Sequence, residues 1–382
     1  MTFRISLKRL RSLPWTEITI LVIGTALALA LRLSLLPFES GDYRHFLLYW
    51  YQAIQDQGFS AVASLKSDYT PSYLYLLYGM SVAFPRLAPI AAIKIPSIAF
   101  DVLCAYLMFQ IVRLKYPGGP APIFAYFAVL FAPTVVLNSA LWGQADSIYT
   151  AFLLMCVYFL LNDKGAYAGL AFGVAFALKL QAIFLAPLLL ALALKRRLAW
   201  VHLLLIPLVY LISIIPAWAA GRPLVALLRV YLDQTRVYPY LTMYSPTLYA
   251  WLPQSLYAVL LPAGLIWATS LVFLYLVVVY KSRADLSRGL IINLALLAAL
   301  LVPFVLPKMH ERYFYLADLL SIAFGFFYPE LFFVPIAIGL ISFFAYQPFL
   351  FGRPMFPLEI LAFGVLILLV LVARKAISTL YR

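Results

Sequence analysis

The chain has 382 residues, of which 65% are hydrophobic and only 11% are charged, and its net charge is +14. This composition excludes an ordinary soluble globular domain, which has far fewer apolar and about twice as many charged residues. Such a positive charge on a soluble protein would suggest a nucleic-acid partner, but here Lys and Arg fall mainly in short loops between apolar runs, as the positive-inside rule predicts for membrane proteins. We therefore expect an all-α polytopic membrane protein with no nucleic-acid partner.

Apolar runs follow one another along the whole chain, and several of them are short. They lie near 16–36, 92–113, 120–138, 147–161, 166–178, 182–194, 199–219, 255–280, 287–306, 313–327, 329–346 and 356–373. These runs predict about twelve transmembrane helices in a single integral membrane domain, 1–382. Within it we distinguish a motif-bearing N-terminal helix module (16–220), an outer loop (221–254) and a C-terminal helix module (255–382).

The segment 71–88 begins with a proline and is rich in tyrosine, and it is ambiguous between a span and an interfacial or re-entrant helix. The basic residues favour the second reading. If the segment does not cross, the basic clusters at 195–197 and 281–288 lie on the same side as the basic N-terminus, as the positive-inside rule requires. We therefore expect both termini in the cytoplasm and, given the short loops, a bacterial plasma (inner) membrane protein.

Polar stretches interrupt the apolar pattern, and with this topology they share the outer face of the membrane. The first outer loop contains 41–45 and 67–71, the second contains 138–146, a break between two short runs contains 179–181, and the last stretch is 308–312. We expect these stretches to converge on one external cavity. A tyrosine-rich outer loop would roof it, with Tyr231, Tyr238, Tyr240, Tyr244 and Tyr249.

A carboxylate beside several cations at a membrane surface suits a reaction between an anionic, lipid-borne donor and a polar acceptor. Transfer of a sugar from a polyprenyl phosphate fits these conditions, with Asp42 as the general base that takes the proton of the acceptor hydroxyl. The donor phosphate would be bound through charge-assisted hydrogen bonds by Lys179, Lys308, His310 and Arg312. The other candidate substrate-binding residues are Arg44, His45, Tyr69, Gln144, Asp146, Gln181 and Glu311.

Five short motifs occur in order: Gly-Asp-Tyr at 41–43, Asp-Tyr-Thr-Pro at 68–71, Asn-Ser-x-x-Trp-Gly-Gln-x-Asp-Ser at 138–147, Lys-Leu-Gln at 179–181 and His-Glu-Arg at 310–312. This series resembles glycosyltransferases of the GT-C superfamily, especially the Alg-type glucosyltransferases and the bacterial relatives of GPI mannosyltransferases. The resemblance implies that the first Asp is the catalytic base and that the last motif contacts the donor phosphate. It also implies an inverting hexosyl transfer from a polyprenyl-phosphate donor to a lipid-linked glycan, lipid or protein.

The chain departs from the family pattern at two positions. Thr70 replaces the first proline of the Asp-Tyr-Pro-Pro element, and Arg312 replaces a lysine. Some members of the superfamily hold a divalent ion with paired carboxylates, an arrangement that Asp42 and Asp146 could imitate. We predict no metal, because hard divalent ions usually require more oxygen ligands. No cofactor is predicted either, since the chain lacks a Gly-rich phosphate loop.

Several candidate residues also have purely structural interpretations. Asp42 and Asp146 could cap the helices that follow them, and Arg44 and His45 could contact lipid headgroups. The Lys179 side chain could extend to the membrane surface. Paired charges could also fix one helix against another, and the residues concerned are His310 and Arg312 with Glu311 or Asp318, and Lys94 and Asp101 with a neighbouring helix.

The main alternative function is a transporter or flippase of a lipid-linked sugar. Such proteins bind their substrate near the bilayer midplane and commonly contain duplicated halves. This chain has no evident duplication, and its charges gather at one interface. An accessory subunit of a glycan-assembly complex would not need such a polar cluster. The sequence therefore favours the enzyme over both alternatives.

Overall fold

Long apolar runs form helices in this protein because a backbone surrounded by hydrocarbon must satisfy its hydrogen bonds within the segment. The structure is a computed structural model that describes residues 14–65, 67 and 69–382, and it confirms the all-α class. The N-terminal basic residues and Asp68 of the second motif lie outside the described residues. The helices are α1 (Trp15–Leu35), α2 (Leu48–Gln57), α3 (Ala61–Ser64), α4 (Pro71–Ala83), α5 (Pro89–Arg113), α6 (Ala121–Leu130), α7 (Pro133–Val136), α8 (Asp146–Leu160), α9 (Gly165–Leu178), α10 (Ala186–Leu194), α11 (Trp200–Leu203), α12 (Leu205–Ala219), α13 (Leu224–Gln234), α14 (Tyr257–Lys281), α15 (Arg288–Val305), α16 (Tyr315–Phe327), α17 (Phe333–Phe351) and α18 (Leu358–Leu380).

Short turns of other helix types connect or extend these elements. Two are π-helical, Tyr43–Leu47 and Leu137–Trp142, and both occur within the polar stretches noted above. Five are 3₁₀ turns, at Gly58–Ser60, Leu180–Leu185, Leu248–Trp251, Gln254–Leu256 and Pro329–Leu331. Because π-helical turns widen the helix locally and are frequent at functional sites, their positions mark the two stretches as specialised.

Among the described residues, seven helical segments are long and apolar enough to cross a membrane, and α6 with the segment Pro133–Trp142, bent by 44°, would make an eighth. The chain is therefore an integral membrane protein. Every predicted apolar run coincides with a helix, but the count of about twelve spans is not confirmed. Four of the helices have only 10–17 residues, namely Asp146–Leu160, Gly165–Leu178, Leu180–Leu194 and Tyr315–Phe327, whereas a straight span needs about 20.

The short helices have a common physical cause. Each of them has one end at a polar stretch: α8 starts at Asp146, α9 and Leu180–Leu194 meet at Lys179, and α16 follows the 308–312 stretch. Polar residues thus stand where a longer helix would have further apolar turns.

The segment 71–88 forms α4 and a following turn. With 13 residues, α4 is not among the candidate spans. It buries Tyr73, Leu74 and Leu77, and together with α2 it packs against the N-terminal end of α5. This small helical unit lies immediately beside the first polar stretch, so it supports the loop that carries Asp42.

Three charged side chains inside the spans are buried and hydrogen-bonded, namely Arg32, Lys94 and Asp101. Arg32 of α1 and Asp101 of α5 are both fully buried, and Arg32 Nε lies 2.8 Å from Asp101 Oδ2. Ser139 also donates to this carboxylate, and Lys94 donates to the carbonyls of Leu36 (3.0 Å) and Phe38 (2.6 Å) just beyond α1. The expected pairing with another helix is confirmed for Asp101, whereas Lys94 binds carbonyls just beyond the end of α1.

A two-stranded parallel sheet joins the outer loop to the last polar stretch. Its strands are β1 (Thr242–Met243) and β2 (Met309–His310), with Thr242 opposite Met309. The pairing is extended on either side, because the Lys308 amide donates to the Leu241 carbonyl at 2.7 Å and the Glu311 amide donates to the Met243 carbonyl at 3.1 Å. The backbone of 308–311 is therefore fixed by the outer loop.

The first prediction concerns the buried ion pair. Arg32→Met should lower the free energy of unfolding by about 3–5 kcal/mol, because it leaves the Asp101 carboxylate buried without its partner. The measurement is thermal denaturation of the detergent-solubilised protein. The double variant Arg32→Met/Asp101→Leu should be clearly more stable than the single one.

The matched control is Arg197→Met, which removes one partner of the exposed Arg197–Asp163 pair. It should change stability by less than about 1 kcal/mol. Equal losses in the Arg32 and Arg197 variants would contradict the interpretation.

Candidate functional site

The polar stretches converge on one cavity of about 1420 Å³. Its wall includes ten of the twelve candidate residues: Asp42, His45, Tyr69, Gln144, Lys179, Gln181, Lys308, His310, Glu311 and Arg312. Asp146 does not line the cavity but contacts two residues that do, Lys179 and Arg312. Arg44 lies apart from the others, since its side chain is exposed and pairs with Glu39 at 3.0 Å.

Asp42 immediately precedes the first π-helical turn. Its carboxylate bonds to side chains from the second polar stretch and not to the backbone amides of the turn. Asp42 Oδ2 accepts hydrogen bonds from Trp142 Nε1 at 3.0 Å and from Gln144 Nε2. The amide of Tyr43 is instead capped by the Ser40 hydroxyl at 3.1 Å. The capping interpretation of Asp42 is therefore wrong. Its side chain keeps 17% of its surface exposed, which makes it reachable from the cavity.

Asp146 holds Lys179 in place. The Lys179 ammonium donates to Asp146 Oδ1, and Asn138 Nδ2 donates to Asp146 Oδ2 at 2.8 Å. Asp146 thus does not act as a helix cap through its side chain. Lys179 is buried, so its side chain does not extend to the membrane surface as one interpretation proposed.

The position of Lys179 depends on a break between α9 and the following 3₁₀ turn. Lys179 has an extended backbone (φ −154°, ψ 136°), which ends α9. The Thr70 hydroxyl donates to the carbonyl of Ala177 at 2.6 Å, in the last turn of this helix. Proline could not make this bond, so the departure from the family motif at this position has a structural use.

Arg312 connects three carboxylates from distant parts of the chain. Its Nη1 lies 2.8 Å from Glu311 Oε1 and 4.0 Å from Asp42 Oδ2, and its Nε lies 3.7 Å from Asp146 Oδ2. The guanidinium also lies over the Trp142 ring, 5.3 Å from its centre. Burial alone would lower the pKa of Arg312, but Glu311, Asp42 and Asp146 raise it well above its ordinary value. The guanidinium is thus a permanent positive charge in the wall.

Glu311 is almost fully buried behind this guanidinium. Burial works to raise its pKa, but His310, whose Nδ1 lies 3.7 Å from Glu311 Oε2, and Arg312 bring the pKa below its ordinary value of 4.5. Arg312 does pair with Glu311, but the two residues are adjacent in the chain, so this pair does not fix one helix against another. Asp318, the other suggested partner, accepts a hydrogen bond from Ser342 at 2.7 Å instead.

The cations of the wall fall into two groups. Lys179 and Arg312 are engaged by the carboxylates of Asp42, Asp146 and Glu311. The other cavity cations are Lys308, whose ammonium donates to the neutral Tyr257 hydroxyl at 2.9 Å, and Arg236, which is exposed. Only the second group is uncompensated by an ion pair among the described residues, so it is the one able to meet an added anion.

The outer loop covers the cavity with only part of its length. Residues 224–234 of the predicted loop form α13, where Tyr231 donates inward to the Phe176 carbonyl. Tyr249 donates to the Val305 carbonyl at 3.0 Å, away from the cavity wall. Of the five outer-loop tyrosines, Tyr238, Tyr240 and Tyr244 line the cavity.

Three further residues of the site were not assigned by the sequence analysis. Trp142 lies inside a recognised motif and could have been found as the indole donor of that motif, which donates to Asp42. Tyr257 and Arg236 enter the wall because the loop before α14 folds back over it. No sequence pattern predicts that, since it depends on the pairing of β1 with β2.

The carboxylates were also considered as possible metal ligands. A guanidinium, that of Arg312, lies between Asp42 and Asp146, where an ion would have to be bound. In the part of the chain that the structure describes, no group of three or more His, Cys, Asp and Glu side chains is arranged to hold a metal. The absence of a metal requirement stays a prediction.

The second prediction follows from the pKa of Glu311. Because its pKa is lowered in the folded protein, the ionised Glu311 stabilises the fold above pH 4.5, and this contribution disappears as the pH falls through the lowered pKa. Glu311→Gln should therefore lower the melting temperature at pH 7, and the difference from wild type should shrink at acid pH. The measurement is thermal denaturation in detergent across a pH series.

The matched control is Glu330→Gln, which removes the exposed partner of Lys375. It should have little effect at pH 7, since exposed pairs contribute at most about 1 kcal/mol. If the melting temperature of wild type exceeded that of Glu311→Gln by a margin that grew as the pH fell, the pKa of Glu311 would be raised rather than lowered.

No model of a known protein family matches this chain, and no curated protein gives a significant sequence match. The likeness to GT-C glycosyltransferases thus rests on the short motifs alone, and the function has to be argued from the geometry of the cavity.

Proposed function

We propose that the protein is a glycosyltransferase that moves a hexose from a polyprenyl-phosphate donor to a hydroxyl acceptor, with inversion and with Asp42 as the general base. One observation carries the proposal. A reachable carboxylate and uncompensated cations line the same cavity, and an apolar wall adjoins them.

The chemistry needs a base on one side of the sugar and charge stabilisation on the other. In the proposed reaction the acceptor hydroxyl gives its proton to Asp42 while its oxygen bonds to the anomeric carbon. The bond from that carbon to the phosphate oxygen breaks, and the phosphate leaves with the electron pair. Positioned proton transfer contributes on the order of 10²–10⁴ in rate, and fixed cations stabilise the charge that grows on the phosphate.

Lys308 and His310 are the best-supported phosphate ligands of this proposal, and Arg236 joins them. Lys308 and Arg236 line the cavity without a carboxylate partner among the residues that the structure describes, and His310 belongs to the same backbone segment as Lys308. Lys179 and Arg312 were also predicted as phosphate ligands. Because they already neutralise carboxylates, we assign them chiefly to holding Asp146 and Glu311 in place.

A lipid-borne donor is supported by the apolar side of the cavity. Ile183, Leu265 and Phe349 line it and are also 40–48% exposed on the surface. Leu261 and Phe184 continue the apolar wall. A polyprenyl chain could therefore stay in contact with apolar side chains while its phosphate reaches Lys308.

We place the site on the outer face of a bacterial inner membrane, with both termini cytoplasmic and with all twelve apolar helices contributing to the crossings. Each of the four short helices would then cross only part of the bilayer, and the polar cavity at its end would occupy the rest of the thickness. The support is the agreement between the twelve apolar runs and twelve helical segments, and the gathering of basic clusters at 195–197 and 281–288.

The third prediction tests the reaction. Purified protein supplied with polyprenyl-phosphate glucose, mannose or galactose and a hydroxyl acceptor should consume one of these donors and form a glycosidic product. Asp42→Asn should reduce kcat by about 10²–10⁴ while the folded protein still binds the donor. Turnover should persist in the presence of a chelator.

The matched control is Asp163→Asn, at an exposed acidic residue paired with Arg197 and outside the cavity wall. It should keep full activity. If the protein moved intact lipid-linked sugar across a vesicle membrane and formed no new glycosidic bond, the glycosyltransferase proposal would be overturned in favour of a transporter or flippase.

The fourth prediction separates the two groups of cations. Lys308→Met should raise the KM for the donor roughly 10-fold or more, because a charge-assisted contact to the phosphate is lost. Its melting temperature should hardly change, since within the described residues the Lys308 ammonium donates to the Tyr257 hydroxyl and forms no ion pair. Lys179→Met should instead lower the melting temperature, because it leaves Asp146 buried without its partner. Identical effects of the two variants on KM and stability would contradict this division.

A further inference from the structure

The two oxygens of the Asp42 carboxylate have different surroundings. Oδ2 accepts hydrogen bonds from Trp142 Nε1 at 3.0 Å and from Gln144 Nε2. The Arg312 guanidinium also faces this same oxygen, at 4.0 Å. An indole N–H and an amide N–H can only donate. Oδ2 is therefore occupied by groups that leave no room for a proton, and a proton taken up by Asp42 has to be bound at Oδ1.

The orientation of the Gln144 amide depends on Tyr69. The Tyr69 hydroxyl lies 3.2 Å from Gln144 Oε1 and donates to it. With this oxygen directed at Tyr69, the amide nitrogen is directed at Asp42. The reverse orientation would place an amide oxygen against the carboxylate, where both atoms are acceptors. Tyr69 thus fixes which end of the amide Asp42 meets.

Tyr69 is itself held by its neighbours. Its ring packs edge-on against Trp50, with 5.6 Å between ring centres, and lies 4.7 Å from the ring of Tyr73. The Lys179 ammonium lies 5.3 Å from the centre of the Tyr69 ring and is fixed by Asp146. A chain of contacts therefore extends from the Asp146–Lys179 ion pair through Tyr69 and Gln144 to the carboxylate.

Trp142 is fixed independently. It is fully buried, stacks on Phe349 with 4.8 Å between ring centres and meets Tyr346 edge-on at 5.3 Å. Trp142 and Gln144 both belong to the 138–146 stretch, in which the backbone N–H of Gln144 donates to the Asn138 carbonyl at 2.9 Å. Both donors to Oδ2 thus come from one rigid turn.

We propose that Trp142 and Gln144 are positioning residues that bind Oδ2 of Asp42, and that Oδ1 is the atom that accepts the proton of the acceptor hydroxyl. Tyr69 acts through Gln144. This inference rests on the proposed function and specifies the reacting atom. The acceptor O–H bond breaks, its proton passes to Oδ1, the acceptor oxygen bonds to the anomeric carbon, and the phosphate departs with the electrons of the broken C–O bond.

Other charged groups surround Asp42 and stay unchanged in the test. They are Arg312 and Glu311 from the last polar stretch, Asp146 from α8, Lys179 from the break after α9, and His45 on its own turn. A change in pH dependence that follows the loss of one neutral donor is therefore attributable to that donor.

The experiment measures the pH dependence of hexosyl transfer in four variants of the full-length protein. Gln144→Leu and Trp142→Phe each remove one donor to Oδ2, and Tyr69→Phe removes the hydroxyl that orients Gln144. Each should lower kcat roughly 10- to 100-fold. Each should also move the acidic limb of the pH profile upward by about one pH unit, because the ionised carboxylate loses a hydrogen bond. The KM for the donor should stay within about twofold of wild type.

The fourth variant, Tyr73→Phe, is the matched control. Tyr73 packs on Tyr69, and its buried hydroxyl has no hydrogen-bond partner among the described residues. Its pH profile should equal that of wild type. The conservative Tyr69→Phe change keeps the ring, so it tests the proposal even if the Trp142 variant fails to fold.

The possible outcomes separate this inference from the proposed function. If wild type transfers a hexose and Asp42→Asn does not, but the three variants lower the rate with an unshifted acidic limb, the positioning role is overturned and the proposed function stands. The same holds if Tyr73→Phe shifts the limb equally. If wild type transfers no hexose from any donor, both proposals are overturned together.

Discussion

The site depends on one guanidinium held between three carboxylates. Arg312 meets Glu311, Asp42 and Asp146, which belong to three distant parts of the chain. A buried carboxylate without a partner costs several kcal/mol, and so does a buried cation. Withdrawal of any of these segments therefore removes a compensating charge from the others. This mutual dependence favours one common geometry for stretches separated by more than two hundred residues.

Burying charges together limits some of the helices around them. Four helices that end at the polar stretches are shorter than a straight span, and a 3₁₀ turn, a π-helical turn or an extended residue adjoins them. Within a membrane, irregular backbone is tolerated only where it is buried in protein or lines a water-filled cavity. The irregular segments and the cavity are thus two consequences of the same arrangement.

Much of the fold could be predicted from the sequence, because hydropathy decides where helices form in a membrane protein. Each apolar run became a helix, and Asp101 found a partner in another span. The sequence also brought Asp42, Gln144, Lys179 and 310–312 into one predicted cavity. What it could not give was the identity of the partners. Lys179 faces a carboxylate rather than open space, and Arg44 points away, because a charge motif does not specify the direction of a side chain. The number of crossings stays a prediction for a related reason, since hydropathy does not measure how far a polar motif shortens a helix.

The parallel pairing of β1 with β2 has a consequence for how this cavity can change over evolutionary time. The outer loop holds the segment 308–311 through main-chain amides and carbonyls, which every residue type except proline can supply. The side chains of Tyr240 and Tyr244 do not take part in this backbone pairing, whereas the Tyr238 ring packs edge-on against His310. Tyr240 and Tyr244 can therefore be exchanged for other residues without disturbing the register of Lys308 and His310. The rim of the cavity can thus vary while the backbone of the wall behind it keeps its position.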